Sequence, residues 1–195
     1  MTSGVILAGG KARRMGGADK GLIPFAGRPL ITYAIDLLRP LCREIYLNVN
    51  RSHKEYGAFG LPLLGDAIGG FAGPLAGVLA ALEASETPYL LVIPCDAPAL
   101  TAEILMGLLK EVAEGAEISV ASDGTRLHPV VMALQKGLAG SLRGYLEAGG
   151  RKIDRFLERH RTAVVQFSDR EAFVNLNTPE ELRELERRWR NRRSS

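Results

Sequence analysis

The feature that most limits the fold of this chain is a regular alternation of short apolar runs and amphipathic stretches. Runs of strand length occupy residues 4–8, 44–49 and 89–93, and stretches with helical spacing at residues 29–38 and 73–85 lie between them. Strands that are apolar on both faces and separated by helices are typical of a parallel sheet covered by helices on each side. The pattern therefore predicts an α/β fold with an open, largely parallel sheet.

The length and composition of the chain favour one domain. The chain has 195 residues, of which 46% are hydrophobic and 24% are charged, and a chain of that length can bury one sizeable core. No repeat or long linker divides it. We expect a single domain over residues 1–190 and a disordered basic tail over residues 191–195.

Cysteine content, hydropathy and charge limit the compartment and the partners. No apolar run approaches the ~20 residues of a membrane helix, so we expect no membrane association. Cys42 and Cys95 form neither a metal-binding motif nor a disulfide framework, which favours the reducing cytoplasm. The basic stretch ERRWRNRRSS at residues 186–195 leaves a nucleic-acid contact open. Because Trp189 is its one aromatic residue, we expect no nucleic-acid partner.

A glycine-rich, cationic loop follows the first predicted strand directly. Residues 9–21 contain five glycines and one acidic residue. Their cations are Lys11, Arg13, Arg14 and Lys20. Ligands of open α/β sheets bind at the carboxyl ends of the strands, and glycines let backbone N–H groups approach an anion closely. The loop therefore predicts a polyphosphate site, with a solvated surface loop as the alternative. Neither GxGxxG nor GxxxxGK[ST] occurs in it, which argues against a dehydrogenase or a P-loop GTPase.

Three polar residues follow or interrupt other predicted strands. Asp96 comes just after the run at residues 89–93, where a carboxylate would face the ligand crevice and could hold Mg²⁺. A turn or helix N-cap aspartate is the alternative. Asp66 follows Gly65 and could equally be a turn residue. Asn48 lies inside a predicted strand, where asparagine is disfavoured, so it has either a ligand or an interior hydrogen-bond partner.

These features belong to a set of motifs that resembles a known family. LAGGKARRMGGADKGL is similar to the LAGGxxxRMGxxK signature of nucleotidyltransferases, and the resemblance extends through YLNVNR, GPLAG, PCDAP, HPV, YLEAGGRKI and FVNLNTPEEL. The chain resembles molybdenum cofactor guanylyltransferases in particular. The resemblance implies a Rossmann-like three-layer α/β sandwich with a mostly parallel central sheet. It also implies transfer of GMP from GTP to the terminal phosphate of molybdopterin, with Mg²⁺ as the cofactor and pyrophosphate as the second product.

The resemblance assigns roles to residues at the matching positions. Arg14, Lys20 and Asp96 would be catalytic, and Asp96 would bind the metal. The nucleotide would be bound by Leu7, Ala8, Gly9, Gly10, Lys20, Asn48, Asp66 and Asp96. Other molybdenum-cofactor biosynthesis proteins and recipient molybdoenzymes are the partners that the family implies.

The second substrate, molybdopterin, ends in a phosphate and should also be held by cations and hydrogen-bond donors. The candidates are Arg126, His128, Arg151, Lys152, Asn175 and Asn177. His128 precedes a proline and could instead be a turn residue. Asn177 could be structural, because Thr178 and Pro179 after it form a typical helix start.

The choice of nucleotide and two other functions remain open from the sequence. Relatives that use CTP carry LAAG and lack PLAG, whereas this chain has LAGG and PLAG, which favours GTP. A CTP- or sugar-phosphate-directed nucleotidyltransferase is the nearest alternative. A noncatalytic GTP-binding adaptor is another, although it would not need the carboxylate of PCDAP.

Overall fold

A computed structural model describes residues 1–9, 19–69 and 73–193 of the chain. The strands in these ranges are β1 (Thr2–Leu7), β2 (Pro24–Phe25), β3 (Arg28–Pro29), β4 (Glu44–Asn48), β5 (Leu63–Leu64), β6 (Tyr89–Pro94), β7 (Ile118–Ser122), β8 (Leu127–Gln135) and β9 (Thr162–Gln166). The α-helices are α1 (Leu30–Leu38), α2 (His53–Gly57), α3 (Pro74–Ala84), α4 (Ala102–Ala113), α5 (Ala139–Glu147), α6 (Ile153–Leu157) and α7 (Pro179–Arg193). Short 3-10 helices lie at Lys20–Leu22, Lys136–Leu138 and Arg170–Phe173.

The central sheet of the described residues has seven strands in the order β5-β4-β1-β6-β8-β7-β9. The neighbours β5, β4, β1 and β6 are parallel, and β9 is parallel to β7. Only β8 runs against its neighbours β6 and β7. The prediction of a largely parallel α/β sheet is therefore confirmed.

Helices cover both faces of this sheet because its strands are apolar on both sides. Val5 and Ile6 of β1 are both fully buried but belong to separate apolar clusters, as expected for side chains that alternate between faces. One cluster is completed by α1 and α4, and the other by α3 and α5. The result is the three-layer sandwich that the resemblance implies.

The register of the parallel strands brings several strand ends to one edge. Leu7 lies opposite Asn48 of β4 on one side and opposite Pro94 of β6 on the other. Asn48 in turn lies opposite Leu64 of β5. The segments that follow these strands therefore leave the sheet side by side, which is where ligands of open α/β sheets bind.

The C-terminal helix α7 packs against the N-terminal part of the chain. It begins with a reciprocal capping pair, in which Thr178 Oγ1 accepts from the Glu181 amide (3.2 Å) and Glu181 Oε2 accepts from the Thr178 amide (3.0 Å). The ring of Trp189 packs edge-on against Phe25 at a centroid distance of 5.6 Å. The helix continues to Arg193, so residues 191–193 are helical where we expected a disordered tail. Residues 194–195 lie outside the described residues.

Among the described helices, none combines the length and the apolar character that crossing a membrane requires.

Candidate functional site

A cavity of about 760 Å³ opens at the edge of the sheet where β1, β4, β5 and β6 end. It is lined by Leu7, Gly9, Lys20, Asn48, Asn50, Arg51, Asp66, Gly73, Pro74, Pro94, Cys95, Asp96, Val130, Asn175 and Asn177. The residues come from eight separate stretches of the chain. A cavity of this size is in the usual range for a small-molecule site.

Lys20, Asp96 and Asn177 meet on one side of the cavity. Lys20 Nζ donates hydrogen bonds to Asp96 Oδ2 (2.6 Å) and to Asn177 Oδ1 (2.5 Å). The Lys20 and Asp96 side chains are only 17% and 11% exposed, so water screens their ion pair weakly. The Leu176 amide donates to the Asp96 carbonyl (3.0 Å), and this bond holds the segment that carries Asn177 against the end of β6.

A second polar group lies at the ends of β4 and β5. Asn48 Nδ2 donates to Asp66 Oδ1 (3.0 Å) and to the Leu64 carbonyl (3.3 Å). Asn50 Nδ2 donates to Asp66 Oδ2 (2.9 Å), and Asn50 Oδ1 accepts from the Asp66 amide (3.1 Å). Both carboxylate oxygens of Asp66 are thus held by amide donors, which fixes the carboxylate in one orientation. Asn48 occupies its strand position because it has these partners.

Two glycines make room for the Asn48–Asp66 group. A Cβ at Gly77 of α3 would clash with the side-chain amide of Asn48, including its Oδ1 atom. A Cβ at Gly9 would lie 3.0 Å from Asn50 Nδ2. Helix α3 begins with Pro74 at its first position after Gly73, whose φ of 72° is in the region that glycine favours. The GPLAG segment therefore brings the start of α3 close against Asn48.

Most of the nucleotide-site residues predicted from the sequence lie at this edge. Leu7, Gly9, Lys20, Asn48, Asp66 and Asp96 line the cavity. Ala8 is buried beside it, and its amide donates to the Asn48 carbonyl (2.9 Å). Gly10 and Arg14 lie outside the described residues.

Of the six residues predicted to contact a second substrate, two line the cavity and four do not. Asn175 and Asn177 line the cavity, whereas Arg126, His128, Arg151 and Lys152 do not. The Arg126 side chain is 70% exposed. Arg151 Nη1 donates to the backbone carbonyls of Leu146 (2.7 Å) and Gly150 (2.6 Å). Lys152 is exposed at the start of α6.

His128 is packed inside the protein. Its ring stacks on Phe173 at a centroid distance of 4.2 Å, and its Nε2 lies 2.9 Å from Asp123 Oδ2. Hydrogen bonds from the Thr125 hydroxyl and amide, and then from Arg126 and His128, hold the pKa of Asp123 well below its ordinary value. The contacts of His128 with Phe173 connect β8 to the segment that leads to Asn175 and Asn177.

Several cavity residues were not singled out from the sequence. Asn50 and Arg51 follow β4, and the two-residue alternation of a strand could have placed Asn50 on the same side as Asn48. Val130 reaches the cavity from β8, a strand whose antiparallel position no local pattern reveals. The buried Cys95 thiol also lines the cavity, and burial raises its pKa.

Comparison with known proteins identifies the family. Residues 4–164 match the MobA-like NTP transferase domain. The molybdenum cofactor guanylyltransferase of Shewanella loihica is 47% identical over 183 residues, which are 93% of each chain. That of Shewanella halifaxensis is 48% identical over 183 residues, which are 93% of this chain and 92% of its own.

Solved structures with low sequence identity share the fold. The molybdopterin-guanine dinucleotide biosynthesis protein A of Archaeoglobus fulgidus is 22% identical with a TM-score of 0.80, covering 98% of this chain and 100% of its own. The 2-C-methyl-D-erythritol 4-phosphate cytidylyltransferase of Thermus thermophilus is 17% identical with a TM-score of 0.72, covering 95% and 98%. The resemblance drawn from the sequence motifs is confirmed by the close relatives, and the chain belongs to the MobA-like NTP transferase family.

Proposed function

We propose that this protein is a molybdenum cofactor guanylyltransferase, which transfers GMP from GTP to the terminal phosphate of molybdopterin and releases pyrophosphate. The product is molybdopterin guanine dinucleotide. The observation that carries the proposal is the meeting of Lys20, Asp96 and Asn177 in one cavity, in a chain 47% identical to a guanylyltransferase over 93% of its length.

The nucleoside of GTP is assigned to the side of the cavity with Asn48 and Asp66. The Asp66 carboxylate, held in place by two asparagine amides, is a fixed acceptor for donor groups of the nucleoside. Leu7 and Gly9 line the cavity, and Ala8, Gly9 and Gly10 carry little or no side-chain bulk. A purine needs such room, which supports GTP over CTP.

The phosphates are assigned to the side with Lys20. Its ammonium is weakly screened and carries three donors, so it can stabilise the charge that grows on the departing pyrophosphate. Arg14, which precedes Lys20 in the sequence, is proposed as a second cation on the phosphates because a guanidinium can bind two oxygens at once.

The residues present fit a magnesium ion. Asp96 offers a carboxylate, and Asn177 Oδ1 lies next to it, since both oxygens bind the same Lys20 ammonium. No cluster of three or more His, Cys, Asp or Glu side chains suited to a metal occurs within the described ranges. Mg²⁺ commonly takes one or two carboxylates together with phosphate oxygens and water. Bound at Asp96, it would neutralise charge on the phosphates of GTP.

The reaction needs alignment more than acid–base chemistry. A terminal phosphate oxygen of molybdopterin attacks the α-phosphorus of GTP, a new P–O bond forms, and the bond from the α-phosphorus to the bridging oxygen of pyrophosphate breaks. A phosphate monoester is already ionised near neutral pH, so it needs no strong base. The protein contributes by holding both phosphates in line and by placing Lys20 where charge accumulates.

Molybdopterin is assigned to the side of the cavity near Asn175 and Asn177. Both residues line the cavity, and Asn177 connects this side to Asp96 through Lys20. The backbone carbonyl of Arg151 lies 4.0 Å from where a Cβ of Gly73 would be, so the backbone at Arg151 is close to a residue that lines the cavity. Contacts from the side chains of Arg126, His128, Arg151 and Lys152 stay predictions.

The cytoplasm is the proposed compartment, because both Cys42 and Cys95 are free thiols. The proposed partners are other enzymes of molybdenum cofactor synthesis and the molybdoenzymes that receive the product.

The test is pyrophosphate release from each of the four nucleoside triphosphates, with Mg²⁺ and molybdopterin present. We expect pyrophosphate release with GTP and not with the other three nucleoside triphosphates. Asp96→Ala should abolish this release. Asp154→Ala, which changes an exposed aspartate of α6, should release pyrophosphate as the wild type does. Preferential use of CTP would overturn the GTP assignment. Tight GTP binding without any release would indicate a noncatalytic adaptor, and full activity of Asp96→Ala would refute the metal assignment.

A further inference from the structure

An ion pair with a buried carboxylate adjoins Lys20, and the function proposed above gives it no role. Arg51 Nε contacts Asp19 Oδ1, and the Asp19 side chain is only 2% exposed, whereas that of Arg51 is 35% exposed. Asp19 immediately precedes Lys20, and Arg51 lines the cavity. A buried carboxylate is unfavourable without a cation or donors, so the guanidinium of Arg51 offsets part of the cost of burying Asp19.

The Asp19 end of the pair starts the turn that carries Lys20. The Asp19 carbonyl accepts from the Leu22 amide (3.0 Å), and the Lys20 carbonyl accepts from the Ile23 amide (3.2 Å). Gly21 packs against Tyr56, which is fully buried, since a Cβ on this glycine would lie 2.8 Å from the phenol oxygen. The turn at Lys20–Leu22 is therefore held between the ion pair and helix α2.

The Arg51 end is anchored to the other side of the cavity. The Val49 amide donates to the Leu64 carbonyl (2.9 Å), and Asn50 is bonded to Asp66 through two hydrogen bonds. Ser52 has φ 52° and ψ 36°, a left-handed conformation that is uncommon for a residue other than glycine. The chain thus turns sharply just after Arg51, while its side chain contacts Asp19.

The Asp19–Arg51 pair also affects which carboxylate the Lys20 ammonium contacts. Two carboxylates, on Asp19 and Asp96, and two cations, on Lys20 and Arg51, occupy the same region. Asp19, Lys20 and Asp96 all act electrostatically on the buried thiol of Cys95. Arg51 is the cation paired with Asp19, whereas the Lys20 ammonium donates its hydrogen bonds to Asp96 and Asn177.

We propose that Arg51 is a positioning residue, which acts through Asp19 to hold the Lys20–Leu22 turn and so directs the Lys20 ammonium to the nucleotide phosphates. The proposal rests on the nucleotidyl transfer proposed above. It makes Arg51 the link between the Asn50–Asp66 side of the cavity and the Lys20–Asp96 side. Its effect on catalysis passes entirely through Lys20.

The kinetic test is a double-mutant cycle in the full-length protein with GTP, Mg²⁺ and molybdopterin. The variants are Arg51→Gln, Lys20→Ala, and the two combined. Arg155→Gln, which removes an arginine from an exposed ion pair with Glu158, is the matched control. We expect Arg51→Gln to lower kcat/KM at least about tenfold, because small displacements of catalytic groups are costly. In the Lys20→Ala background the same change should alter kcat/KM less than about twofold, and Arg155→Gln should behave as wild type.

Equal losses in both backgrounds would show that Arg51 acts without Lys20, for instance by contacting phosphate itself, and would overturn the proposal. So would wild-type kinetics of Arg51→Gln. Since Arg51→Gln leaves Asp19 buried without its partner, the double variant Asp19→Asn/Arg51→Gln provides a neutral pair of similar size, with the same expected loss. If neither variant shows a cooperative unfolding transition, the pair holds the whole domain and the proposal is refuted.

Amide hydrogen exchange tests the positioning step without reference to activity. In Arg51→Gln, the amides of Leu22 and Ile23 should exchange at least about tenfold faster than in the wild type, since they report local opening of this turn. They should be unchanged in Lys20→Ala and in Arg155→Gln. Unchanged exchange in Arg51→Gln would overturn the inference. Lack of pyrophosphate release by the wild type would instead overturn the proposed function, and the exchange result would still decide whether the pair holds the turn.

Discussion

Replacement of Gly77 by alanine tests how closely α3 must approach Asn48. In most helix interiors this change is favourable by about 1 kcal/mol, because alanine is the better helix former. Here the added methyl would clash with the Asn48 side chain, which is only 4% exposed and has little room to move. The two effects have opposite signs, so the outcome of the substitution shows which one dominates.

The magnitude follows from the bonds that Asn48 would lose. Its amide donates to the Leu64 carbonyl at 3.3 Å and to the Asp66 carboxylate at 3.0 Å. A neutral hydrogen bond contributes about 1 kcal/mol net, and one to a charged group about 1.5–3 kcal/mol. Loss of both costs about 2–4 kcal/mol, from which the helix gain of about 1 kcal/mol is subtracted. We therefore expect Gly77→Ala to lower the free energy of unfolding by about 1–3 kcal/mol.

The assay is urea unfolding together with the KM for GTP. Gly144→Ala in α5 is the matched control, because its glycine is exposed and a Cβ there would have no neighbour within 4 Å. We expect the control to be stabilised by about 1 kcal/mol. Gly77→Ala should be destabilised and show a raised KM, since Asp66 loses a donor that orients it. Stabilisation of Gly77→Ala with an unchanged KM would refute the reasoning.

Three further substitutions test separate parts of the structure. Lys20→Ala should lower kcat about 10²–10³-fold, as for loss of one preorganised donor. Lys110→Ala, the control at a 68% exposed position, should have wild-type kcat. A loss of kcat below about tenfold in Lys20→Ala would contradict the role of Lys20. Asn50→Ala should raise the KM for GTP with a smaller effect on kcat, because it frees one oxygen of Asp66, and an unchanged KM in steady-state assays would contradict this. Asp123→Asn should be less stable than the wild type at pH 7. Because the pKa of Asp123 is lowered in the folded state, this difference should be constant above about pH 5 and shrink as the pH falls below about 4, where the unfolded carboxylate becomes protonated. Thermal unfolding from pH 7 to pH 3 measures it, and a difference that grows toward pH 3 would contradict the sign.

The layered fold could be predicted because its signals are local. Residues 90–93 of β6 are all fully buried, and this burial is visible in the sequence as an unbroken apolar run. Likewise, threonine is a typical residue before the first turn of a helix, and Thr101 Oγ1 accepts from the Ile104 amide of α4 at 3.5 Å. Such features depend on neighbouring residues alone, so no knowledge of distant contacts is needed.

His128 shows where local reasoning stops. A histidine before a proline suggested either a contact to the phosphate of the second substrate or a turn residue. Its actual environment is a buried stack on Phe173, which lies 45 positions further along the chain. Arg51, in contrast to His128, was not singled out from the sequence at all. Nothing in the segment around it indicates an ion pair, because its partner Asp19 belongs to a different part of the chain.

The order of apolar runs, glycines and helix caps determined by itself that this chain forms a helix-covered, mostly parallel sheet, and it predicts an anion-binding loop after β1. Only the tertiary structure decided that Lys20 meets both Asp96 and Asn177, which are 76 and 157 positions away in the chain. The physical reason is that hydrophobic periodicity reports the burial of each segment, while the partners of a buried charge depend on which strands become neighbours. That choice is made by the packing of the whole sheet, where β1 lies between β4 and β6.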